Sequence, residues 1–114
     1  MHELSIAVGI VEIAQEEAER LGGRVSAVHL KLGALAGVAP EALLSSYEVA
    51  CADTPLEGSR LVIEQVPVIV YCPRCNGPRA LSSVQLFCCS ECGTPSADIR
   101  QGRELELVAL EIDQ

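Results

Sequence analysis

Aromatic and basic residues are both scarce in this chain of 114 residues. There is no tryptophan, and there are only two tyrosines and one phenylalanine, so the core must be built from leucine, valine, isoleucine and alanine. Lysine and arginine number 8 against 16 aspartates and glutamates, which gives a formal charge of -8. Such a surface repels phosphate backbones. The composition therefore argues against nucleic-acid binding.

Long apolar runs and a secretory signal are also missing. Crossing a bilayer takes about 20 consecutive apolar residues, and no stretch of the chain reaches that length. The opening residues, MHELSIAVGI, lack the basic segment and the small-residue cleavage site of a signal peptide. We therefore expect a cytoplasmic protein without a membrane partner. In that reducing compartment, paired cysteines indicate a metal or redox site and not disulfides.

The first half of the chain has two helical patterns separated by a strand pattern. Apolar residues recur at helical spacing over 4–21, and the Gly22-Gly23 pair is typical of a helix end. Residues 25–32 alternate as in a strand. Pro40 suits the first turn of a second helix, which we expect to run to about Ala52. Its buried stripe is predicted to be Leu43, Leu44, Tyr47 and Cys51.

The second half is predicted to be mostly β-structure around a cysteine-rich module. Pro67 interrupts the β-rich run 60–71 and implies an edge position, a bulge or a junction between strands. The closing strand, 104–112, contains a continuous apolar run that predicts coverage on both faces. We predict an α+β fold: a small mixed β-sheet layered with two helices, plus an inserted zinc-ribbon-like module. The predicted domains are 1–70 with 101–114, and 71–100.

Two Cys-x-x-Cys pairs are the most specific feature of the sequence. Cys72 and Cys75 are separated from Cys89 and Cys92 by thirteen residues. Two residues between thiolates let a tight turn present both sulfurs to one tetrahedral ion at about 2.3 Å. Four protein thiolates leave no open position for water or substrate. The pattern therefore predicts a structural Zn(II) site, whose charge takes the chain to roughly -10.

The cysteines also allow other interpretations. The pair Cys72-Pro73-Arg74-Cys75 is similar to an oxidoreductase dithiol, but such a motif normally opens a helix and stands alone. Cys88 could replace Cys89 with three residues before Cys92, although the two-residue spacing favours Cys89. Cys51 lies on the apolar stripe of the second helix and is expected to be a buried small hydrophobe.

Met1, His2 and Glu3 form a second candidate metal site. Alone they are a weak signal, since an early histidine more often belongs to a solvated tail. Chemically, however, the Met1 amine with the His2 amide and imidazole can close fused chelate rings around one ion. Such nitrogen ligands favour square-planar Ni(II) or Cu(II), and Glu3 could add a carboxylate.

The remaining polar residues do not indicate catalysis. His29 alternates with apolar strand residues and is expected to face solvent. The glutamates at 12, 16, 17 and 19 are most simply a solvated helix face, with binding of a basic partner as the alternative. No Ser-His-Asp arrangement, phosphate loop or carboxylate pair emerges. We therefore predict that the protein is not an enzyme.

Five motifs, in this order along nearly the whole chain, resemble the HypA/HybF family of hydrogenase maturation nickel metallochaperones. They are Met1-His2-Glu3 opening a long helix, Leu32-Gly33-Ala34-Leu35, Pro40-Glu41-Ala42-Leu43 opening a second helix, the two cysteine pairs, and Gln101-Gly102-Arg103-Glu104-Leu105 leading into the last strand. Cys88, a third cysteine beside the second pair, departs from the family pattern.

The resemblance implies a nickel-binding metallochaperone that delivers Ni(II) for [NiFe]-hydrogenase active-site maturation. Transient nickel would be held by His2 with the Met1 amine and main chain, with Glu3 beside it. The four paired cysteines would hold structural zinc. Implied partners are a HypB-type GTPase, the [NiFe]-hydrogenase large subunit and, in some organisms, urease maturation factors. The alternative is a zinc-ribbon interaction scaffold without transferable metal.

Overall fold

The computed structural model describes residues 2–114, except for the side chain of Ser82. It has two helices and seven strands within those residues. In chain order they are α1 (Glu3–Leu21), β1 (Arg24–Gly33), α2 (Pro40–Cys51), β2 (Arg60–Val66), β3 (Ile69–Cys72), β4 (Gly77–Ser83), β5 (Leu86–Cys89), β6 (Ile99–Gln101) and β7 (Leu105–Asp113). This confirms the predicted α+β class. Neither described helix combines the length and the apolar content needed to span a membrane.

Three strands form the first sheet, in the order β2-β1-β7. At the ends of β1 and β2, the N–H of Ala34 donates to the Val66 carbonyl (3.1 Å), so these two strands run parallel. The N–H of Gly33 donates to the Glu104 carbonyl (2.7 Å) just before β7 begins, so β1 and β7 run antiparallel. The sheet is therefore mixed, as predicted, with α2 connecting the parallel pair.

The chain divides into two compact units. The helical unit comprises the residues up to Lys31 with 38–64 and 106–114, and the cysteine unit comprises 32–37 with 65–105. The sequence-based domain bounds, 1–70 with 101–114 and 71–100, stay a prediction.

The helical unit has an aliphatic core in which α1 packs against α2. Among residues 2–114, fourteen of the twenty buried hydrophobic residues belong to this unit. As expected from the near-absence of aromatics, Tyr47 is the single aromatic among them. Gly22 ends α1 with φ 73° and donates its N–H to the Ala18 carbonyl (2.8 Å), which confirms the predicted helix end.

Two details of the predicted core were wrong. Leu44 is 42% exposed, whereas Leu43, Tyr47 and Cys51 are buried, because the buried stripe repeats every four residues and Leu44 points about 100° away from it. The apolar run in the closing strand is not covered on both faces, since Val108 is 47% exposed. Coverage of a face requires another element packed on it, and within residues 2–114 no element covers Val108 of this strand.

The cysteine unit contains an antiparallel sheet in the order β5-β4-β3-β6. Pro67 lies at the junction between β2 and β3, one of the three positions predicted for it. The 32–37 segment fits tightly against the segment before β7, because a Cβ on Gly33 would lie 2.2 Å from the Gly102 carbonyl oxygen. Only glycine allows that approach.

Candidate metal centre

Four cysteine side chains converge in the cysteine unit. Cys72 and Cys89 are the last residues of β3 and β5, and Cys75 and Cys92 lie in the turns that follow. The four sulfur atoms all lie within 4.8 Å of one another. The Cys72 and Cys92 sulfurs are 3.5 Å apart, and those of Cys75 and Cys89 are 3.9 Å apart. The structure thus brings together the four cysteines predicted as one site.

The two turns have the same backbone design. In each, the residue four positions after the first cysteine is left-handed: Asn76 has φ 58° and Gly93 has φ 77°. The N–H of each donates to the carbonyl of that first cysteine, at 2.8 Å for Asn76 to Cys72 and 3.0 Å for Gly93 to Cys89. Glycine and asparagine tolerate this conformation best. This is the physical reason for Asn76 and Gly93 at these positions.

Backbone N–H groups inside the turns point at sulfur. Cys72 Sγ accepts from the N–H of Cys75 at 3.4 Å. Cys89 Sγ accepts from the N–H groups of Glu91 (3.4 Å) and Cys92 (3.5 Å). Donors of this kind stabilise a thiolate over a thiol. The turns therefore favour the charged form that binds metal.

Three of the thiols, those of Cys75, Cys89 and Cys92, have shifted pKa values. The contact between Cys92 Sγ and Thr94 Oγ1, at 3.1 Å, lowers the pKa of Cys92 to about 6. The backbone N–H of Cys92 lowers the pKa of Cys89. The Cys92 sulfur and burial raise the pKa of Cys75 to about 12. The cluster can thus hold thiolates and thiols together, and a bound cation would replace the remaining protons.

The geometry of the sulfurs fits a tetrahedral ion. A Zn–S bond of about 2.3 Å places neighbouring sulfurs roughly 3.8 Å apart in a tetrahedron, and the observed separations of 3.5 and 3.9 Å lie on either side of that value. Thiolate ligands select zinc, copper(I) or iron. The arrangement can therefore hold a metal without offering it an open position.

The two remaining cysteines lie outside the cluster. Cys88 occupies β5 next to Cys89, and its backbone bridges to Pro95. Because successive strand residues point to opposite faces, only Cys89 reaches the other sulfurs. Cys51 is 3% exposed and belongs to the core of the helical unit, where sequence reasoning placed it.

Sequence reasoning missed Arg79, a residue of β4 beside the cluster. Its Nε lies 2.9 Å from Glu91 Oε2, within the second turn. Burial opposes the charge of the guanidinium, but Glu91 and the thiols of Cys75 and Cys89 raise the pKa of Arg79 overall. No sequence signal marks this arginine, because the pairing of Leu81 with Cys89 between β4 and β5 is what brings β4 to the second cysteine pair.

The predicted nickel ligands lie at the start of α1. Met1 falls outside the described residues, so its role stays a prediction. His2 is exposed and immediately precedes the helix, and its carbonyl accepts the Ile6 N–H at 3.1 Å. Within residues 2–114, no hydrogen-bond partner holds the His2 imidazole.

Glu3 has backbone partners of its own. Its Oε2 accepts the N–H of Ala39, the residue before α2, at 3.3 Å. The N–H of Glu3 itself and that of Ala39 lower the pKa of the Glu3 carboxyl. The carboxylate therefore ties the start of α1 to the start of α2, and its role as a metal ligand stays a prediction.

His29 was expected to face solvent, and its side chain is partly exposed at 34%. It is also paired: His29 Nε2 lies 2.6 Å from Glu111 Oε2 across β1 and β7. This contact lowers the pKa of Glu111. The sequence did not show this partner, because it depends on the pairing of the two strands.

These features define the chain as a small α+β protein with a four-cysteine metal site. Its residues 1–112 match the protein-family model described as "Hydrogenase/urease nickel incorporation, metallochaperone, hypA". The chain belongs to this HypA family of metallochaperones.

Relatives and solved structures agree with that assignment. The chain is 54% identical over 112 residues to a hydrogenase maturation factor HypA of Chloroflexus aurantiacus, covering 97% of this chain and 98% of the relative. It is 52% identical over 114 residues to one of a Roseiflexus species, covering 99% and 93%.

The solution structure of the Ni metallochaperone HypA from Helicobacter pylori shares the fold. It has a TM-score of 0.66 and 21% identity, covering 98% of this chain and 97% of that one. A second HypA solution structure has a TM-score of 0.71 at 21% identity, with coverage of 98% and 96%.

Proposed function

We propose that this protein is a non-enzymatic carrier that binds Ni(II) at its N-terminus and delivers it for maturation of the [NiFe]-hydrogenase active site. Membership of the HypA family over residues 1–112 is the observation that carries this proposal. The match includes the first three residues, where the proposed nickel ligands lie.

The N-terminal geometry supports an exchangeable nickel site. The His2 imidazole is exposed, while its carbonyl is held by the first turn of α1. The Met1 amine, the His2 amide nitrogen and the imidazole would supply nitrogen ligands to the ion. An exposed site of this kind can load from one partner and unload to another. Because protons compete for these nitrogens, nickel binding should weaken as the pH falls.

Zinc is the metal we propose for the four-cysteine cluster. The sulfur separations fit a tetrahedral ion, and the four thiolates leave no position for cargo or substrate. Zinc bound there would contribute directly to the folding free energy of the cysteine unit. The two proposed metals thus have separate tasks, with zinc for structure and nickel for transport.

The proposed partners are a HypB-type GTPase and the [NiFe]-hydrogenase large subunit, with urease maturation factors as further clients. The chain carries no phosphate loop, so any GTP hydrolysis belongs to a partner. The helical unit, which bears the nickel end, has 13 of the 16 acidic residues and 4 of the 8 basic ones. That charge suits partners with basic docking surfaces.

Nickel titration of the zinc-loaded protein, followed by calorimetry, tests the carrier function. The wild type should bind one Ni(II) per chain, and His2→Ala should lose at least about 2.7 kcal/mol of binding free energy, a hundredfold in affinity. His29→Ala is the matched control, because it removes the other histidine and should leave nickel affinity unchanged.

Stoichiometric, wild-type nickel binding by His2→Ala would overturn the site. It would favour the second candidate function, a zinc-ribbon scaffold without transferable metal, for which the closed four-cysteine cluster is the supporting observation.

A further inference from the structure

Arg79 carries a buried nitrogen beside the cysteine cluster. Its Nε is shielded from solvent and makes no hydrogen bond within the described residues. Glu91 Oε2 is 2.9 Å away, which is ion-pair distance, but the N–H is not aligned on that oxygen. A buried N–H without an acceptor is costly. The guanidinium has five N–H donors: its Nη1 donates to the Pro78 carbonyl at 2.8 Å, and it interacts with the thiols of Cys75 and Cys89.

Charge gives the second reason to connect Arg79 with the cluster. Four thiolates around one divalent cation leave a net charge of about -2 in a partly buried site. Cys72 and Cys89 are buried, with 0% and 3% exposure, so water compensates that charge poorly. The Arg79 side chain is 29% exposed, whereas Arg74, inside the first turn, belongs to the exposed residues. Arg79 is thus the cation of the cysteine unit placed to compensate the cluster.

We propose that Arg79 is the counter-cation of the metal-thiolate cluster and slows release of its metal. This inference rests on the proposed assignment of zinc to the four cysteines. The positive charge lowers the electrostatic energy of the anionic metal-thiolate cluster, so it favours the metal-bound form over the released one. Arg79 is therefore a positioning and charge-compensating residue and not a ligand.

A purely mechanical role is the competing explanation. Glu91 belongs to the second turn, and its backbone N–H donates to Cys89 Sγ. The Arg79–Glu91 ion pair could therefore brace that turn without acting on the sulfurs. The two explanations differ in what removal of Glu91 does. Bracing predicts the same effect from Arg79→Gln and Glu91→Gln, whereas charge compensation predicts that only Arg79→Gln speeds release.

The experiment measures zinc transfer from the loaded full-length protein to a colorimetric chelator. Zinc content and release are measured first in the wild type, so a wrong metal assignment appears there as absence of zinc. Arg79→Gln should release zinc about tenfold faster, the low end of the effect of residues that support metal ligands. Arg79→Lys should recover most of the wild-type rate, and Glu91→Gln, which removes a negative charge beside the cluster, should not speed release.

The dependence of the release rate on ionic strength distinguishes an electrostatic role of Arg79 from a mechanical one. The ratio of the Arg79→Gln rate to the wild-type rate should shrink between about 0.1 M and about 1 M salt, because the screening length falls from about 10 Å to about 3 Å. Arg100→Gln is the matched control, since Arg100 pairs with Asp98 and stacks on Tyr71.

A Co(II)-loaded sample of each variant reports on the ligands, through its thiolate charge-transfer band. The proposal expects that band unchanged. Equal release rates for Arg79→Gln and wild type, equal acceleration by Arg79→Gln and Glu91→Gln, or a salt-independent ratio would each overturn it.

Discussion

The helical unit and the cysteine unit rely on different forces. The helical unit buries fourteen residues in and around a core formed by α1, α2 and the first sheet. The cysteine unit buries six, and two of them are the cluster residues Cys72 and Cys89. A few buried valines and one leucine cannot offset the conformational entropy of the 47 residues of this unit. The comparison predicts that the hydrophobic effect sustains the first unit, while the second depends on a bound metal.

The two units also differ in charge. The helical unit has 13 acidic and 4 basic residues, whereas the cysteine unit has 3 acidic and 4 basic. The formal charge of -8 is therefore a property of the helical unit alone. The cysteine unit is nearly neutral until its thiolates ionise around a metal. Electrostatic attraction to a partner would act mainly on the unit that bears the proposed nickel site.

Removal of the metal should give the largest difference between the two units, because the four-cysteine cluster lies in the cysteine unit only. Chelation of zinc from the reduced protein should unfold the cysteine unit while α1 and α2 persist, since bound zinc contributes on the order of 10 kcal/mol in small domains. Amide NMR spectra would show the resonances of 65–105 collapsing to the unfolded range, while those of α1 stay dispersed.

Addition of zinc should restore the spectrum, which is the control for irreversible oxidation of thiols. Loss of both units together would show that the helical unit is not stable by itself. Retention of both would show that metal is not needed for the fold.

Truncation of a core leucine should destabilise the helical unit and leave the cysteine unit unaffected. Leu43 is fully buried (0%) and its neighbour Leu44 is 42% exposed on the same helix. Leu43→Ala should lower the free energy of unfolding of the helical unit by about 3 kcal/mol, and Leu44→Ala by less than about 0.5 kcal/mol. Urea denaturation followed by helical circular dichroism measures both.

Zinc content should be unchanged in each leucine variant. A Leu44→Ala cost equal to that of Leu43→Ala would contradict the observed orientation of α2.

Alkaline pH should weaken the helical unit by a smaller amount. Burial raises the pKa of Tyr47 to about 12, above its value of about 10 in the unfolded chain. The folded state thus favours the neutral phenol, so this contribution is complete below pH about 10 and is lost as pH rises toward 12. Between about pH 9 and about pH 11 the unfolding free energy should fall by about 1 kcal/mol.

Replacement of Tyr47 by phenylalanine gives the control. Tyr47→Phe loses the hydrogen bond to Ser59 Oγ (2.7 Å) but should also lose this alkaline decline, whereas Tyr71→Phe should keep it. A decline in Tyr47→Phe as large as in wild type would show that another group is responsible.

Much of the fold was predictable because local pattern and tertiary packing agree. The helical period of α1, Gly22 at its end and Pro40 at the start of α2 predicted both helices to within about one residue. Predictions failed where burial depends on neighbours in space. Leu44 and Val108 are apolar in sequence, yet each is more than 40% exposed, because no other element covers them.

The metal cluster could also be predicted from the sequence, since the spacing of cysteines in a tight turn limits where the sulfurs can lie. The residues around the cluster could not be predicted. Arg79 and Glu91 are twelve residues apart, and only the β4–β5 pairing places them 2.9 Å from each other. The same holds for Glu3, whose carboxylate meets the Ala39 N–H across 36 residues.

The sequence by itself determined the elements of this protein and the chemistry available to it: two amphipathic helices, a proline-broken β-run, four cysteines in two turns and a histidine near the chain start. These follow from periodicity, turn chemistry and ligand spacing, which act over a few residues. Only the tertiary structure decided which of two adjacent cysteines joins the cluster, which arginine lies beside it and which carboxylate anchors α1. Those outcomes depend on strand pairing and on contacts between residues far apart in the chain, where loop closure and packing, and not local preference, set the distance between groups.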